Sequence, residues 1–254
     1  MIGVYLSGTG NTKHCIEKFV SLIDPTASII SIEDKDVVSK IRENDEIVIA
    51  YPTQFSNMPY MVRDFINKNG NIWAGKKVLC MTTMALFSGD GTGCCARVLK
   101  KHGAKIIGGM QIIMPDSIGD NKLLKKPIET SKQMVKNADI RIEEIAKQIK
   151  ETKIYPQEGL SFWAHLAGLF GQRLWFYNKT TGYCDKVKIS DACIGCGLCV
   201  RNCPMNNLAI NDGKATASDK CAMCYRCLNI CPKQAITILG NQVYEQCRYE
   251  KYKD

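Results

Sequence analysis

The first 150 residues alternate between two hydrophobic patterns. Short apolar runs rich in β-branched residues predict strands, and segments whose apolar positions recur every three or four residues predict helices. The five predicted strands are Ile2–Leu6, Ser28–Ile32, Glu46–Tyr51, Lys77–Thr82 and Ile106–Met114. The five predicted helices are Thr12–Leu22, Val37–Arg42, Tyr60–Lys68, Gly93–His102 and Glu129–Lys150.

Strand and helix alternate strictly through this region. The third and fourth strands are continuously apolar at their centres, which is typical of strands buried on both faces. Five such βα units predict an α/β domain with an open, doubly wound, five-stranded parallel sheet. Ligands of such sheets bind beyond the carboxyl ends of the strands, where the strand order reverses. We therefore expect the residues that follow the strands to form the binding site.

A short polar loop follows the first predicted strand and leads directly into the first helix. It reads Ser7-Gly8-Thr9-Gly10-Asn11-Thr12. The glycines allow a tight turn, and the hydroxyls, backbone amides and helix dipole suit a phosphate group. The chain lacks the lysine of a G-x4-G-K-[ST] motif and has no G-x-G-x-x-G after this strand. Hydrolysis of a nucleoside triphosphate and a conventional dinucleotide site are therefore disfavoured.

A segment rich in aromatic residues, Leu160 to Tyr177, separates this region from the rest of the chain. A transmembrane span needs about 20 mostly apolar residues. This stretch is borderline in length and is interrupted by His165, Gln172 and Arg173. Packing between two domains is our main interpretation, and contact with a membrane surface is the alternative.

Eight of the fourteen cysteines fall in one stretch near the end of the sequence. They form two copies of C-x2-C-x2-C-x3-C-P that repeat every 28 residues. Thiolates are the ligands of iron–sulfur clusters, and four of them hold a [4Fe–4S] cluster. Zinc sites are the alternative, although the ligand pairs of zinc sites are usually separated by a longer loop. The other six cysteines have no ligand spacing and receive no role.

Residues 185–240 resemble the two-cluster bacterial ferredoxins, which form a small α+β domain. The resemblance implies low-potential electron transfer. It also implies crossed ligation, in which the fourth cysteine of each motif binds the other cluster. The first cluster would then be held by Cys193, Cys196, Cys199 and Cys231. The second would be held by Cys221, Cys224, Cys227 and Cys203.

The polar loop resembles the flavodoxin phosphate loop, written [ST]-x-T-G-x-T, and the likeness extends over the five βα units. It implies FMN bound by this loop and by the loops after the third and fourth strands, with Phe55 or Phe87 stacked on the flavin ring. Neither loop has the tryptophan and tyrosine that often sandwich the ring, so a flavin-free docking domain is the alternative. The implied residues are Ser7, Gly8, Thr9, Gly10, Asn11, Thr12, Pro52, Thr53, Gln54, Phe55, Ser56, Asn57, Thr83, Met84, Phe87 and Gly89.

The net charge of +9 is spread along the chain, with +5 in residues 1–150 and +4 in the remainder. No basic tail or recognition helix accompanies it, so nucleic-acid binding is disfavoured. A moderately basic surface is our main interpretation of this charge, and the functional alternative is docking to redox partner proteins with acidic surfaces. The first residues show no basic region of a signal peptide, and clustered cysteines suit a reducing compartment, so we expect a cytoplasmic protein.

The whole chain resembles a flavodoxin–ferredoxin fusion of the kind found in anaerobic bacteria and archaea. We predict a flavodoxin-like FMN domain at 1–150, an interdomain segment at 151–184, a two-cluster domain at 185–240 and a tail at 241–254. The predicted function is single-electron relay between FMN, two [4Fe–4S] clusters and redox partners, without catalytic residues. The alternatives are a flavoenzyme that reduces a small substrate such as a quinone, a subunit that docks on a larger oxidoreductase, and an iron–sulfur sensor. No motif in the sequence specifies the oligomeric state.

Overall fold

The computed structural model describes residues 1–176 and 184–253. The first part is a three-layer α/β domain whose strands and α-helices all match predicted ones, with bounds that differ by at most two residues. Its strands are β1 (Ile2–Tyr5), β2 (Ser28–Ser31), β3 (Glu46–Pro52), β4 (Lys77–Met84) and β5 (Lys105–Ile113). Its helices are α1 (Asn11–Ile23), α2 (Val37–Arg42), α3 (Tyr60–Lys68), α4 (Gly91–Lys101) and α5 (Ile128–Thr152).

The five strands form one parallel sheet in the order β2-β1-β3-β4-β5. This is the strand order of flavodoxin-like doubly wound folds, in which the order reverses between β1 and β3. The predicted fold is therefore confirmed, and the reversal places the carboxyl ends of β1 and β3 side by side.

Each face of the sheet carries its own hydrophobic core. Along β3, Ile47 and Ile49 face the layer of α2, α3 and α4, whereas Val48 and Ala50 face α1 and α5. Because successive side chains point to opposite faces, a strand covered on both sides must be apolar at every position. This requirement explains the uninterrupted apolar runs in the sequence.

After α5 the chain runs beside the edge strand β5 and then folds over α4. The amide of Gly109 donates to the Pro156 carbonyl (2.8 Å), and the amide of Glu158 donates to the Gly109 carbonyl (2.9 Å). Helix α6 (Phe162–Gly168) follows and continues into a turn of π-helix at Leu169–Arg173. Among the described residues, no helix is long and apolar enough to cross a membrane.

A buried ion pair fixes this aromatic segment to the first domain. The Asp90 carboxylate, which is fully buried, lies 2.7 Å from Nη1 of Arg173 and 2.6 Å from Nη2 of Arg97. His165 Nδ1 lies 2.9 Å from the same carboxylate. The opposite side of the segment is exposed, and its large apolar side chains are Phe162, Trp163, Phe170, Leu174 and Trp175.

The aromatic segment therefore packs on the first domain by one face only, at least as far as Phe176. We expected this segment to pack between the two domains. Tyr177 and residues 178–183, which lead from the segment to the cysteine-rich domain, lie outside the described residues.

The cysteine-rich part folds into a small α+β domain around its own core, as predicted. Its elements are β6 (Lys188–Ile189), α7 (Leu198–Arg201), β7 (Leu208–Asn211), β8 (Lys214–Ala217), α8 (Arg226–Ile230) and β9 (Ile236–Thr237). Strands β6 and β9 pair antiparallel, and β7 and β8 form a hairpin. Apolar side chains such as Leu208, Leu228 and Ile236 pack together with the cysteines.

Polar contacts join the two domains closely. Oδ2 of Asp120, on the loop after β5, accepts hydrogen bonds from the amides of Ile238, Leu239 and Gly240 at 2.6, 2.9 and 3.0 Å. The chain then returns to the first domain, where Tyr252 is buried in the core beneath α1 and α5. The cysteine-rich domain is thus held against the carboxyl edge of the parallel sheet.

Candidate functional site

The predicted phosphate loop, Ser7–Thr12, lies between β1 and α1 at the reversal of strand order. Gly10 adopts a left-handed φ of 97°, which favours glycine, and its amide donates to the Ser7 hydroxyl (3.2 Å). The Thr12 hydroxyl lies 2.7 Å from that of Thr83, and the Thr9 hydroxyl lies 2.8 Å from that of Ser117. The first turn of α1 has amides without intrahelical acceptors, so the loop and helix together offer several donors to an anion.

A cavity of about 430 Å³ opens beside this loop, at the carboxyl edge of the sheet. Most of the sequence-predicted residues line this sheet-edge cavity, and polar groups of the phosphate loop meet a more apolar region that includes Phe55 and Phe87. Its volume lies within the ~300–1,000 Å³ that is usual for small-molecule sites. The predicted residues on its wall are Ser7, Gly8, Thr9, Asn11, Thr12, Pro52, Thr53, Gln54, Phe55, Thr83, Met84 and Phe87.

Four predicted residues lie behind the cavity wall. Gly10 contacts the Tyr249 side chain, and Gly89 packs against Gly168 of α6. Ser56 and Asn57 are buried in the turn that follows β3. They support the wall and do not face the cavity.

Two groups of residues on the wall were not predicted from the sequence. One is the loop after β5, where Asp116 and Ser117 line the cavity. Because the carboxyl end of β5 reaches the same sheet edge, the predicted topology could have indicated this loop. The other group consists of Gln172, Phe176, Met223, Cys224, Tyr225 and Leu239, from segments that no sequence pattern connects to the sheet.

Asp116 is the acidic side chain among the residues of the cavity wall. Burial raises the pKa of its carboxyl, and the Ile118 amide, which donates to it at 2.6 Å, and the charges of Lys125 and Lys126 oppose this shift. Burial therefore disfavours the carboxylate form of Asp116 relative to that of an exposed aspartate.

The eight motif cysteines form two separate sets in the small domain. Cys193, Cys196, Cys199 and Cys231 line one cavity, and we call them the first thiol set. Cys203, Cys221, Cys224 and Cys227 line another cavity and form the second thiol set. The fourth cysteine of each motif thus joins the other motif's first three. Among the described residues, no three His, Cys, Asp or Glu side chains converge closely enough to hold a single metal ion.

Backbone amides point at sulfur atoms of both sets, as in many iron–sulfur sites. The amide of Asn207 donates to Cys203 Sγ and that of Ala235 donates to Cys231 Sγ, both at 3.3 Å. These two bonds are related by the 28-residue repeat. Burial raises the pKa of the Cys221 thiol to about 12, so its deprotonation requires a compensating positive charge such as that of a metal.

The Cys221–Arg226 loop of the second repeat has an unusual backbone. Met223 and Tyr225 adopt φ values of 50° and 59°, in the left-handed region that favours glycine. The equivalent positions of the first repeat, 28 residues earlier, are Gly195 and Gly197, with φ values of 65° and 71°. The second repeat therefore keeps the same backbone shape with side chains that cost about 1–3 kcal/mol each in strain.

Those side chains, Met223 and Tyr225, are buried, and both line the sheet-edge cavity. Burial also raises the pKa of the Tyr225 phenol, helped by the nearby charges of Asp120 and Asp116. The strained loop thus places Met223, Cys224 and Tyr225 at the boundary between the two domains.

Direct contacts join this loop to the phosphate loop and to the loop after β3. The Arg226 guanidinium donates to the Ser7 carbonyl (2.9 Å) and forms an ion pair with Glu33 (2.7 Å). The Gln54 side-chain amide donates to the carbonyls of Ala222 and Met223, both at 3.0 Å. The second thiol set is therefore built onto the edge of the sheet-edge cavity.

A comparison with protein families identifies the cysteine-rich part of the chain. Residues 185–237 match the family model of the 4Fe-4S dicluster domain, which implies two [4Fe–4S] clusters. A comparison of sequences with curated proteins found no match.

Solved flavodoxin structures resemble the first part of the chain. A flavodoxin from the domain Archaea is 20% identical, covers 59% of this chain and 97% of its own, and gives a TM-score of 0.43. Two-electron reduced Megasphaera elsdenii flavodoxin is 24% identical, with 46% and 89% coverage and a TM-score of 0.41. Fusobacterium nucleatum flavodoxin bound to flavin mononucleotide is 17% identical, with 59% and 96% coverage and a TM-score of 0.41.

Strand order and family match together define the class of protein. The chain is an electron-transfer protein that combines a flavodoxin-like domain with a 4Fe-4S dicluster domain.

Proposed function

We propose that this protein is a single-electron relay in which FMN occupies the sheet-edge cavity and two [4Fe–4S] clusters occupy the two thiol sets. The observation that carries the proposal is that Cys224, of the second thiol set, lines the same cavity as the phosphate loop. When bound, FMN exchanges electrons in pairs or singly, whereas each cluster exchanges one.

The chemistry of the cavity wall fits FMN. Hydroxyls of Ser7, Thr9 and Thr12, with the amides at the start of α1, would hold the phosphate without a basic side chain. Phe55 and Phe87 offer aromatic surface at the more apolar end of the cavity, where the flavin ring would lie. Phe55 already stacks on Phe176 at a centroid distance of 4.6 Å, which fixes its ring.

The cysteine arrangement fits two four-iron clusters with crossed ligation. Cys193, Cys196, Cys199 and Cys231 would hold the first, and Cys221, Cys224, Cys227 and Cys203 the second. Four thiols around a shared cavity suit a cluster better than a single zinc ion, which draws its ligands to about 2.3 Å. The small domain at 185–240 would then carry both clusters, beside the FMN domain at 1–150.

The two clusters would occupy different places in the relay. The second lies next to the sheet-edge cavity, and its ligands Cys221 and Cys227 are buried. The first lies farther out, since Cys196 is exposed and Ile194 beside it is 59% exposed. Electrons would therefore pass between FMN and the second cluster, and between the first cluster and outside proteins.

The surroundings of the first thiol set favour an acidic redox partner. Nη1 of Arg201 donates to the Cys196 carbonyl (3.3 Å), and Lys233 lines the cavity of the set. Lys214 lies nearby and pairs with Asp191 at 2.7 Å. Residues 185–240 carry seven Lys or Arg and four Asp, a net charge of +3. Such charges raise the association rate with a partner of opposite sign.

An anoxic iron and flavin assay on the purified protein tests the proposal. We expect about eight irons per chain, as two four-iron clusters require, one FMN, and bleaching of the visible spectrum in separable steps during reduction. The same iron content without FMN, even after FMN is added, would overturn the flavin part. It would leave a cluster protein on a flavin-free docking domain.

A second candidate function is a subunit of a larger oxidoreductase. The exposed aromatic face of the segment from Phe162 to Trp175 favours it, because exposed apolar patches often mark interaction sites. Anoxic purification from native cells tests this candidate. Recovery of a stable complex would support it, and an autonomous monomer that exchanges electrons in solution would contradict it.

A further inference from the structure

The binding elements of the two cofactor sites touch each other in this protein. Resting on the proposed function, we propose that Arg226 is a positioning residue that couples them. Loading of the second thiol set with its cluster raises the affinity of the sheet-edge cavity for FMN. By the same coupling, FMN raises the affinity of the second thiol set for its cluster.

Arg226 contacts both sites through one guanidinium group. Nη2 donates to the carbonyl of Ser7, the first residue of the phosphate loop, at 2.9 Å. Nη1 donates to the carbonyl of Asn202 at 3.2 Å, and Asn202 directly precedes the cluster ligand Cys203. Glu33 holds both nitrogens, at 2.7 and 2.9 Å. Because the guanidinium fork is planar and stiff, a shift at one end is transmitted to the other.

The shape of the Cys221–Arg226 loop depends on the cluster. Met223 and Tyr225 have left-handed backbones that persist only where the surroundings hold them. A bound cluster would hold them through the flanking ligands Cys221, Cys224 and Cys227. Without it, the loop relaxes towards less strained conformations, and Arg226 moves with it.

The phosphate loop is packed too closely against its neighbours to stay unchanged when the Cys221–Arg226 loop moves. Gly8 packs directly against the Cys224 carbonyl. The Tyr249 amide fixes the Thr9 carbonyl from another side, at 2.8 Å. A displaced Cys221–Arg226 loop therefore leaves the phosphate loop less ordered, and FMN must then order it on binding, at a cost in affinity.

The test measures the FMN dissociation constant of the cluster-loaded and the iron-free protein under anoxic conditions. In the natural protein we expect iron removal to weaken FMN binding roughly tenfold or more, within the usual range of coupling between sites. In Arg226→Gln the ratio of the two constants should fall towards one. The matched control is Arg201→Gln, since Arg201 contacts the first thiol set and should leave the ratio unchanged.

A reciprocal measurement avoids the iron-free chain, in case it does not fold. Coupling is symmetric in binding free energy, so FMN should also slow the loss of the second cluster of the loaded protein to a chelator. That protection should be lost in Arg226→Gln. Equal ratios in the natural protein and in Arg226→Gln would overturn the coupling. Failure of every form to bind FMN would instead overturn the proposed function.

Discussion

The Cys224 carbonyl oxygen occupies the space that a side chain at Gly8 would need. Gly8 belongs to the phosphate loop and Cys224 to the second thiol set, so one glycine allows the two predicted cofactor sites to meet. The contacting atom is backbone, and backbone cannot rotate away as a flexible side chain can. The distance between the two sites is therefore set in part by the absence of a single Cβ atom.

Gly8→Ala should separate the two loops. The added methyl group would collide with the Cys224 carbonyl, and overpacking of this kind costs about 1–3 kcal/mol. We expect a lower unfolding midpoint in urea and weaker FMN binding. Gly171→Ala is the control for the unfolding midpoint, since a methyl group there would meet only the ring edge of Phe87, at 3.3 Å, and no backbone atom. Unchanged FMN affinity in Gly8→Ala would show that the contact does not shape the phosphate loop.

The sequence predicts the first domain well because each of its strands and helices has a hydrophobic pattern that can be recognised within a short stretch of the chain. Both faces of β3 and β4 are buried, so their apolar runs identify them, and the polar loop after β1 identifies the sheet edge. The position of Asp116 follows from the same topology. The approach of Cys224 to Gly8 does not, because it joins residues far apart in the chain. The repeat does hold a clue: Met223 and Tyr225 replace the glycines of the first repeat at left-handed positions.

Cys203→Ala should damage the cluster of the second thiol set and spare the other. Cys203 lies with Cys221, Cys224 and Cys227 around one cavity, although it belongs to the first motif. Iron analysis with electron paramagnetic resonance of the reduced protein measures the outcome. Cys231→Ala is the mirror control and should damage the first thiol set. Loss of the Cys193 cluster in Cys203→Ala, with the other intact, would disprove crossed ligation.

Arg173→Leu should destabilise the protein strongly. The Asp90 carboxylate is fully buried, and Arg173 is the more buried of its two arginine partners. Removal of one partner of a buried ion pair costs up to about 3–5 kcal/mol, and the half-exposed Arg97 compensates only part of the charge that remains on Asp90. Urea unfolding measures this loss.

Arg97→Gln is the matched control for Arg173→Leu. Arg97 contacts the same carboxylate, but its side chain is 46% exposed, so its loss should cost at most about 1 kcal/mol. Equal losses for the two variants would mean that the buried pair does not anchor the aromatic segment.

Asp116→Asn should stabilise the protein at neutral pH. Burial raises the pKa of Asp116, so the folded state binds more protons than the unfolded state above the ordinary pKa of about 3.9. Stability therefore falls as the pH rises through the raised pKa. The asparagine variant lacks this dependence, and its advantage should shrink as the pH is lowered towards the ordinary pKa.

Urea midpoints of the cluster-loaded protein across a pH series measure the effect at Asp116. Asp191→Asn is the control, because a hydrogen bond from Lys214 lowers the pKa of Asp191 and its loss should bring no gain at neutral pH. If Asp116→Asn has no higher unfolding midpoint than the natural protein at pH 7, or if its gain grows as the pH is lowered, the pKa of Asp116 is not raised by folding.

Charge reversal beside the first thiol set should slow electron exchange with anions. Arg201 and Lys233 flank the exposed end of this set, where the proposed relay meets its partners. In the double variant Arg201→Glu/Lys233→Glu, one-electron oxidation of the reduced protein by cobalt(III)–EDTA, an anion, should slow roughly tenfold at low salt. Oxidation by the cation hexaammineruthenium(III) should accelerate. Each event removes one electron from the protein and adds one to the metal complex.

Ionic strength separates this electrostatic effect from damage to the cluster. Because the Debye length is about 10 Å at 0.1 M salt, both changes should fade as salt is added, and the iron content should stay constant. Lys100→Glu/Lys101→Glu, at the exposed end of α4, is the control and should alter neither rate. If the two reagents respond alike, or if the α4 control has the same effect, electrons leave the protein elsewhere than at the first thiol set.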